Sequence, residues 1–159
     1  MILERLLMEN LNEWETIVDN LSCRNNELLV PTVNDTTTLH DFNVNLANFF
    51  SEVNFYFAKA RRNKDAITRL IKNVLRDNYR GQNDLARRAA GIQLAQRYPV
   101  PEAVLPFQQN DHIDLFDLED VFNGHYYILE SIIQTLHVKS GAKITNNSLL
   151  NLERSLLEA

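Results

Sequence analysis

The sequence predicts an all-α protein, an oligomeric bundle of long helices. Three observations predict it. Glycine and proline contribute four residues each in 159, so turn signals are sparse and helix formers dominate. From Leu39 onward apolar residues recur at alternating steps of three and four: Leu39, Phe42, Leu46, Phe49, Val53, Tyr56, Ala60, Ile67, Leu70 and Val74. Asn63 and Asp77 are the polar exceptions. A second series, Leu118, Phe122, His125, Leu129, Ile132 and Leu136, repeats the step. Such patterns mark helices that bury a seam against other helices. The length suits a single domain, residues 1–159, with a real core.

Taken in order, residues 2–21 carry Ile2, Leu3, Leu6, Leu7, Leu11, Trp14, Ile17, Val18 and Leu21 on one helical face. They predict an amphipathic helix packed on the core, or an acidic partner-binding helix anchored by Trp14. Ser22, Arg24, Asn25 and Asn26 predict a break. Leu28 to Val33 contains Pro31 and predicts a short extended piece, because a residue before proline avoids the helical region. Residues 1–34 could thus form an N-terminal appendage. Asp35, Thr36 and Thr37 offer caps for a long helix over 38–79. Phe50, Phe57 and Ile71 flank its seam and widen it, which suits a bundle or an oligomer. Gly81 ends it. With Asp84 as cap, a shorter helix over 85–98 is expected to turn Leu85, Ala89, Ile92 and Ala95 inward.

Pro99, Pro101 and Pro106 predict a loop over 99–117. Asp111, Asp114 and Asp117 in it lack the spacing, glycine and terminal glutamate of a calcium loop. Asp114 or Asp117 instead caps a helix over 118–138, packed antiparallel or nearly so on the 38–79 helix. Tyr126 and Ile133 sit beside its seam. Ser140-Gly141 is a stop signal. Thr145, Asn146 or Asn147 could cap a final helix through Leu149, Leu152 and Leu156.

The net charge of −5 conceals segregation. Between Lys59 and Arg97 eleven basic residues face three acidic ones, giving +8 and leaving −13 elsewhere. A local basic field attracts polyanions whatever the total charge. Arg62, Arg69 and Arg76 stand seven apart and share a line, with Lys72 beside it. Lys59, Arg61 and Lys64 cluster at its start, Tyr79 and Arg80 continue it, and Arg87 and Arg88 follow in the next helix. A ridge of this kind can track a phosphate backbone, with Tyr79 stacking a base. The competing reading is a solvated face whose charges meet acidic surface of this chain or of a neighbouring subunit. Eight arginines against three lysines in the segment favour recognition, since arginine binds phosphate or carboxylate bidentately.

Other chemistry is not indicated. His40, His112, His125 and His137 have no metal-ligand spacing, and His125 reads as a core or interface residue. No phosphate-binding glycine loop or nucleophile motif occurs. An enzyme, a cofactor and a metal site are therefore not expected. The lone Cys23 precludes an internal disulfide and suits a reducing compartment. Glu4 and Glu9 interrupt the N-terminal apolar stretch, and no apolar run is long enough to span a bilayer. A cytoplasmic protein without a membrane partner is expected, in the host cytoplasm if viral.

Two stretches resemble the phage recombination mediator family typified by UvsY. One is Asn73-Val74-Leu75-Arg76-Asp77-Asn78-Tyr79-Arg80-Gly81, similar to that family's basic helix running into an aromatic-and-glycine turn. The other is Tyr126-Tyr127-Ile128-Leu129 through Leu136-His137-Val138-Lys139-Ser140-Gly141, similar to its late helix. The order of parts also matches, over roughly residues 55–145. Residues 1–34 and the loop 99–117 have no clear counterpart. The resemblance implies a ring-forming helical protein without enzymatic activity. It would bind single-stranded DNA, contact a single-strand-binding protein and a recombinase, and help load the recombinase. Lys72 and Arg76 would contact DNA, with Tyr79 and Arg80 beside them. The alternative is a structural or assembly protein, a scaffold or adaptor, whose basic ridge docks on an acidic protein surface.

Overall fold

In the computed structural model the chain is predominantly helical. The structure describes residues 2–32 and 35–158, without the side chains of 143–150. The helices are α1 (Ile2–Leu7), α2 (Leu11–Glu27), α3 (Thr36–Asp77), α4 (Asp84–Gln96) and α5 (Leu115–Glu158). A two-stranded bridge, β1 (Tyr98–Pro99) with β2 (His112–Ile113), lies between α4 and α5. The chain divides into two compact units, Met1–Glu15 with Lys59–Tyr126 and Thr16–Ala58 with Tyr127–Ala159. Helices α2, α3 and α5 contribute residues to both.

In the first unit the core joins Ala66, Ile67, Ile71 and Val74 of α3 to Leu115, Leu118 and Phe122 of α5. Leu3 and Leu6 of α1 and Ala95 of α4 complete it. The two long helices run antiparallel here: Thr68 donates to Glu119 at 3.2 Å, and Lys64 lies 4.9 Å over the Tyr126 ring. Asn63, the polar break in the seam, is fully buried. Arg5 Nη1 donates to its Oδ1 at 2.9 Å, so α1 satisfies a carbonyl that burial would otherwise strand.

The N-terminal segment is two helices rather than one. Asn10 Oδ1 accepts from Glu13 N at 3.0 Å and caps α2, restarting the helix after Leu7. The α4 face also differs from expectation. Ala95 is buried, but Leu85 is 80% exposed and Ile92 40% exposed, while Gly91 turns inward. A Cβ on Gly91 would lie 3.1 Å from Leu75 Cα, so close backbone approach decides the face instead of apolar content. Asn83, not Asp84, caps α4, accepting from Ala86 N at 2.8 Å. Gly81 before it has φ +145°, a conformation that side-chain-bearing residues resist.

The proline-containing loop is shorter than expected and tied down. Tyr98 pairs with Ile113 and Pro99 with His112, and Val100 N donates to Asp111 O at 2.8 Å. Asp114 caps α5 by accepting from Phe116 N at 2.9 Å, so the helix starts at Leu115 rather than 118.

In the second unit Val18 and Leu21 of α2, Leu39, Phe42, Leu46, Phe49 and Val53 of α3, and Leu129, Ile132 and Leu136 of α5 are buried. Phe50 meets His137 edge-on at 5.3 Å, and Arg154 donates to Thr36 at 2.9 Å, again an antiparallel register. Asp35 caps α3 by accepting from Thr38 N and Oγ1, and the helix spans Thr36–Asp77 rather than 38–79. Residues 22–27, expected as a turn, continue α2. Leu21 and Asn25 are buried there, and Lys139 Nζ donates to the Asn25 carbonyl near the helix C-terminus. Burial lowers the Lys139 ammonium pKa. Leu28 to Thr32 is non-helical, as expected, and Val33 lies outside the described residues.

The expected stop at Ser140-Gly141 is absent, and α5 continues to Glu158. A single glycine costs an interior helix only about 1 kcal/mol, which contacts on either side of it outweigh. The expected caps Thr145, Asn146 and Asn147 fall inside α5, their side chains outside those described.

This packing can be tested in two ways. Ile67→Ala should lower stability by about 2–5 kcal/mol in denaturant unfolding, whereas Leu85→Ala should change it by no more than about 0.5 kcal/mol. Arg24 grips Glu52 through two bonds of 2.8 and 2.6 Å. This hydrogen bonding holds the Glu52 carboxyl below its ordinary range and raises the Arg24 pKa. The pair's contribution is complete above the unfolded glutamate pKa of about 4.3 and fades as pH falls through the lower folded value. Glu52→Gln should therefore make the acid limb of the stability–pH curve shallower.

Candidate functional site

The eleven predicted residues all lie in the first unit, and their surroundings divide them. Three beside the α3 seam are engaged by neighbouring side chains. Lys59 Nζ sits 5.8 Å from the Trp14 ring centroid, and Lys64 lies over Tyr126; both are half-buried. Arg62 Nη2 is 3.6 Å from Glu9 Oε1, while Glu9 Oε2 accepts from Trp14 Nε1 at 2.9 Å. Glu9 thus joins the α1–α2 junction to α3, and Arg62, still exposed on the line it shares with Arg69 and Arg76, has this carboxylate at its side.

Beside it the outward face is formed by Arg61, Arg69, Lys72 and Arg76, all exposed. At about 100° per residue these positions fall within about 80° of the helix circumference, and they extend over about 22 Å. Arg61, Arg69 and Lys72 make no hydrogen bond or ion pair among the described residues. Arg76 Nε is 3.0 Å from Asp77 Oδ1, an exposed pairing that contributes little. Asp65 shares the wedge and tempers its charge. Nothing in the heptad register alone separates Arg61 from Arg62; the α1–α2 junction does.

Beyond α3 the chain turns at Gly81 and positions Tyr79 against α4. The Tyr79 hydroxyl donates to Asp84 Oδ1 at 2.8 Å, and the Arg87 guanidinium lies 5.7 Å over its ring. Arg87 Nε also donates to Gly81 O at 3.0 Å. Tyr79 stays exposed at one end of the wedge, with its orientation set and Arg87 over the ring. Arg80 and Arg88 are exposed and without a polar partner among the described residues.

His125 is buried, stacked on Trp14 at 5.3 Å and edge-on to Phe122 at 6.2 Å. Its Nε2 lies 3.1 Å from Glu15 Oε1. The aromatic contacts and this bond make it part of the core. Among the described residues no group of three or more His, Cys, Asp or Glu side chains is placed to hold a metal ion. No helix among them is long and apolar enough to cross a membrane.

Comparison of the chain with protein-family models, characterised proteins and solved structures finds no match.

Glu9 joins Trp14 and Arg62, a feature that charge patterning did not reveal. Glu9→Ala takes the carboxylate away from both the Trp14 N–H and the guanidinium. It should lower stability by about 1–3 kcal/mol and change the tryptophan fluorescence of the folded protein.

Proposed function

We propose that the chain binds single-stranded nucleic acid without catalysing a reaction, through the outward wedge of α3. The observation that carries this reading is the run of exposed cations at Arg61, Arg69, Lys72 and Arg76 with Tyr79 at its end. Solvated cations release counterions when they meet phosphates, giving salt-dependent, sequence-tolerant affinity. An aromatic ring beside them can stack a base, an interaction single strands offer more readily than duplexes. Arg80 extends the same surface. Lys59, Arg62 and Lys64 support it from the flank, where neighbouring side chains already hold them.

The resemblance to the UvsY-type family extends this reading to recombination or replication. The chain would act there as a homo-oligomeric mediator that contacts a single-strand-binding protein and helps load a recombinase. That extension rests on the resemblance alone. An assembly role, with basic surface docked on acidic protein, is favoured by α4, where Leu85 and Ile92 stand exposed on the helix that carries Arg88.

Titration of labelled oligo-dT at two salt concentrations tests the proposal. Affinity should fall steeply with salt, and Arg69→Ala should reduce the logarithmic salt slope by about 0.7 for each phosphate that the arginine neutralises. Arg76→Ala should act similarly, and Arg62→Ala less. Absence of binding at low salt would refute the reading.

A further inference from the structure

We propose that the outward face of α4 is the docking surface for the last turns of α5 from a second copy of this chain. Leu85, Arg88 and Ile92 are spaced three and four apart, so they share one face of α4. All three are exposed, because Gly91 and Ala95 occupy the side that packs inward. This is an apolar stripe with a cation in its middle, carried on a helix whose position the close approach to Leu75 fixes.

The last turns of α5 offer the complement. Leu152 is 56% exposed, Leu156 70% and Leu157 87%, and Glu153 lies among them on the same side. Arg154 points differently, donating to Thr36 of α3. The result is an apolar stripe with an anion in its middle. Two uncovered apolar stripes of opposite charge on one chain suit each other. In the docked pair Leu152 and Leu156 cover Leu85 and Ile92, and Glu153 meets Arg88.

The two stripes are different surfaces, so the interface is heterologous. Repetition closes a ring, a reciprocal pair of two copies included, or grows a filament. Arg88 is outside the α3 wedge, and the interface requires no nucleic acid.

Sedimentation velocity of the full chain without nucleic acid tests it. The wild-type protein should self-associate as concentration rises, with apolar burial persisting at high salt. Arg88→Glu and Glu153→Arg should each weaken association roughly tenfold or more through like-charge repulsion. The double reversal Arg88→Glu/Glu153→Arg should restore it, and Leu85→Glu should abolish it. These positions are exposed, so circular dichroism should show every variant folded. A wild-type monomer at the highest attainable concentration overturns the proposal. So do single reversals without effect, or a double reversal no tighter than the singles. Oligo-dT binding bears on none of these outcomes, so each proposal can fail without the other.

Discussion

A helix of 42 residues whose apolar seam is interrupted only at Asn63 and Asp77 cannot remain uncovered in water. Helix α3 imposes that constraint on the rest of the chain. In the first unit α1, α4 and the start of α5 cover it. In the second, α2 and the remainder of α5 are buried with it. At Asn63, the buried one of its two polar interruptions, Arg5 reaches the carbonyl, while the amide nitrogen has no hydrogen-bond partner among the described residues. The short helix α1 is therefore tied to α3 by hydrogen bonding as well as by Leu3 and Leu6.

The same seam decides which charges are free. A cation flanking it must lie close to whatever covers it, and the covering elements bring Trp14, Glu9 and Tyr126. Lys59, Arg62 and Lys64 are held by them. A cation opposite the seam has no such neighbour and stays solvated, as Arg61, Arg69 and Lys72 do. A basic segment of +8 in the sequence thus becomes a narrower wedge in the fold. Desolvated or already paired cations have less to offer a polyanion than solvated, unpaired ones.

Helix α4 illustrates a second principle. Its apolar residues suggest one inward face, and the structure buries another. Leucine burial at Leu85 would have stabilised the fold, but the end of α3 presents Leu75 at close range, and a glycine and an alanine admit that approach. The apolar residues left outside become available to another molecule. The same logic separates the two termini of the chain's amphipathic pattern. Leu3 and Leu6 are enclosed, whereas Leu152, Leu156 and Leu157 are not, although all five belong to helices with acidic neighbours.

The all-α class, the α3 seam from Leu39 to Val74 and the α5 seam from Leu118 to Leu136 were legible in the sequence, because heptad spacing directly encodes burial. The caps at Asp35 and Asp114 were each among the candidates the sequence offered, since a short carboxylate before a helix satisfies its first amides, and the structure selects them. The sequence also determined the basic segment from Lys59 to Arg97. Only the tertiary structure decided the break at Asn10, the continuation of α2 through Asn26 and of α5 through Gly141, and the inward face of α4. It also decided which cations remain free. Apart from the local cap at Asn10, they turn on residues distant in the chain: Lys139 on the Asn25 carbonyl, Leu75 against Gly91, Glu9 beside Arg62. Local propensity carries no information about such neighbours, and a preference of about 1 kcal/mol per residue yields when they are present.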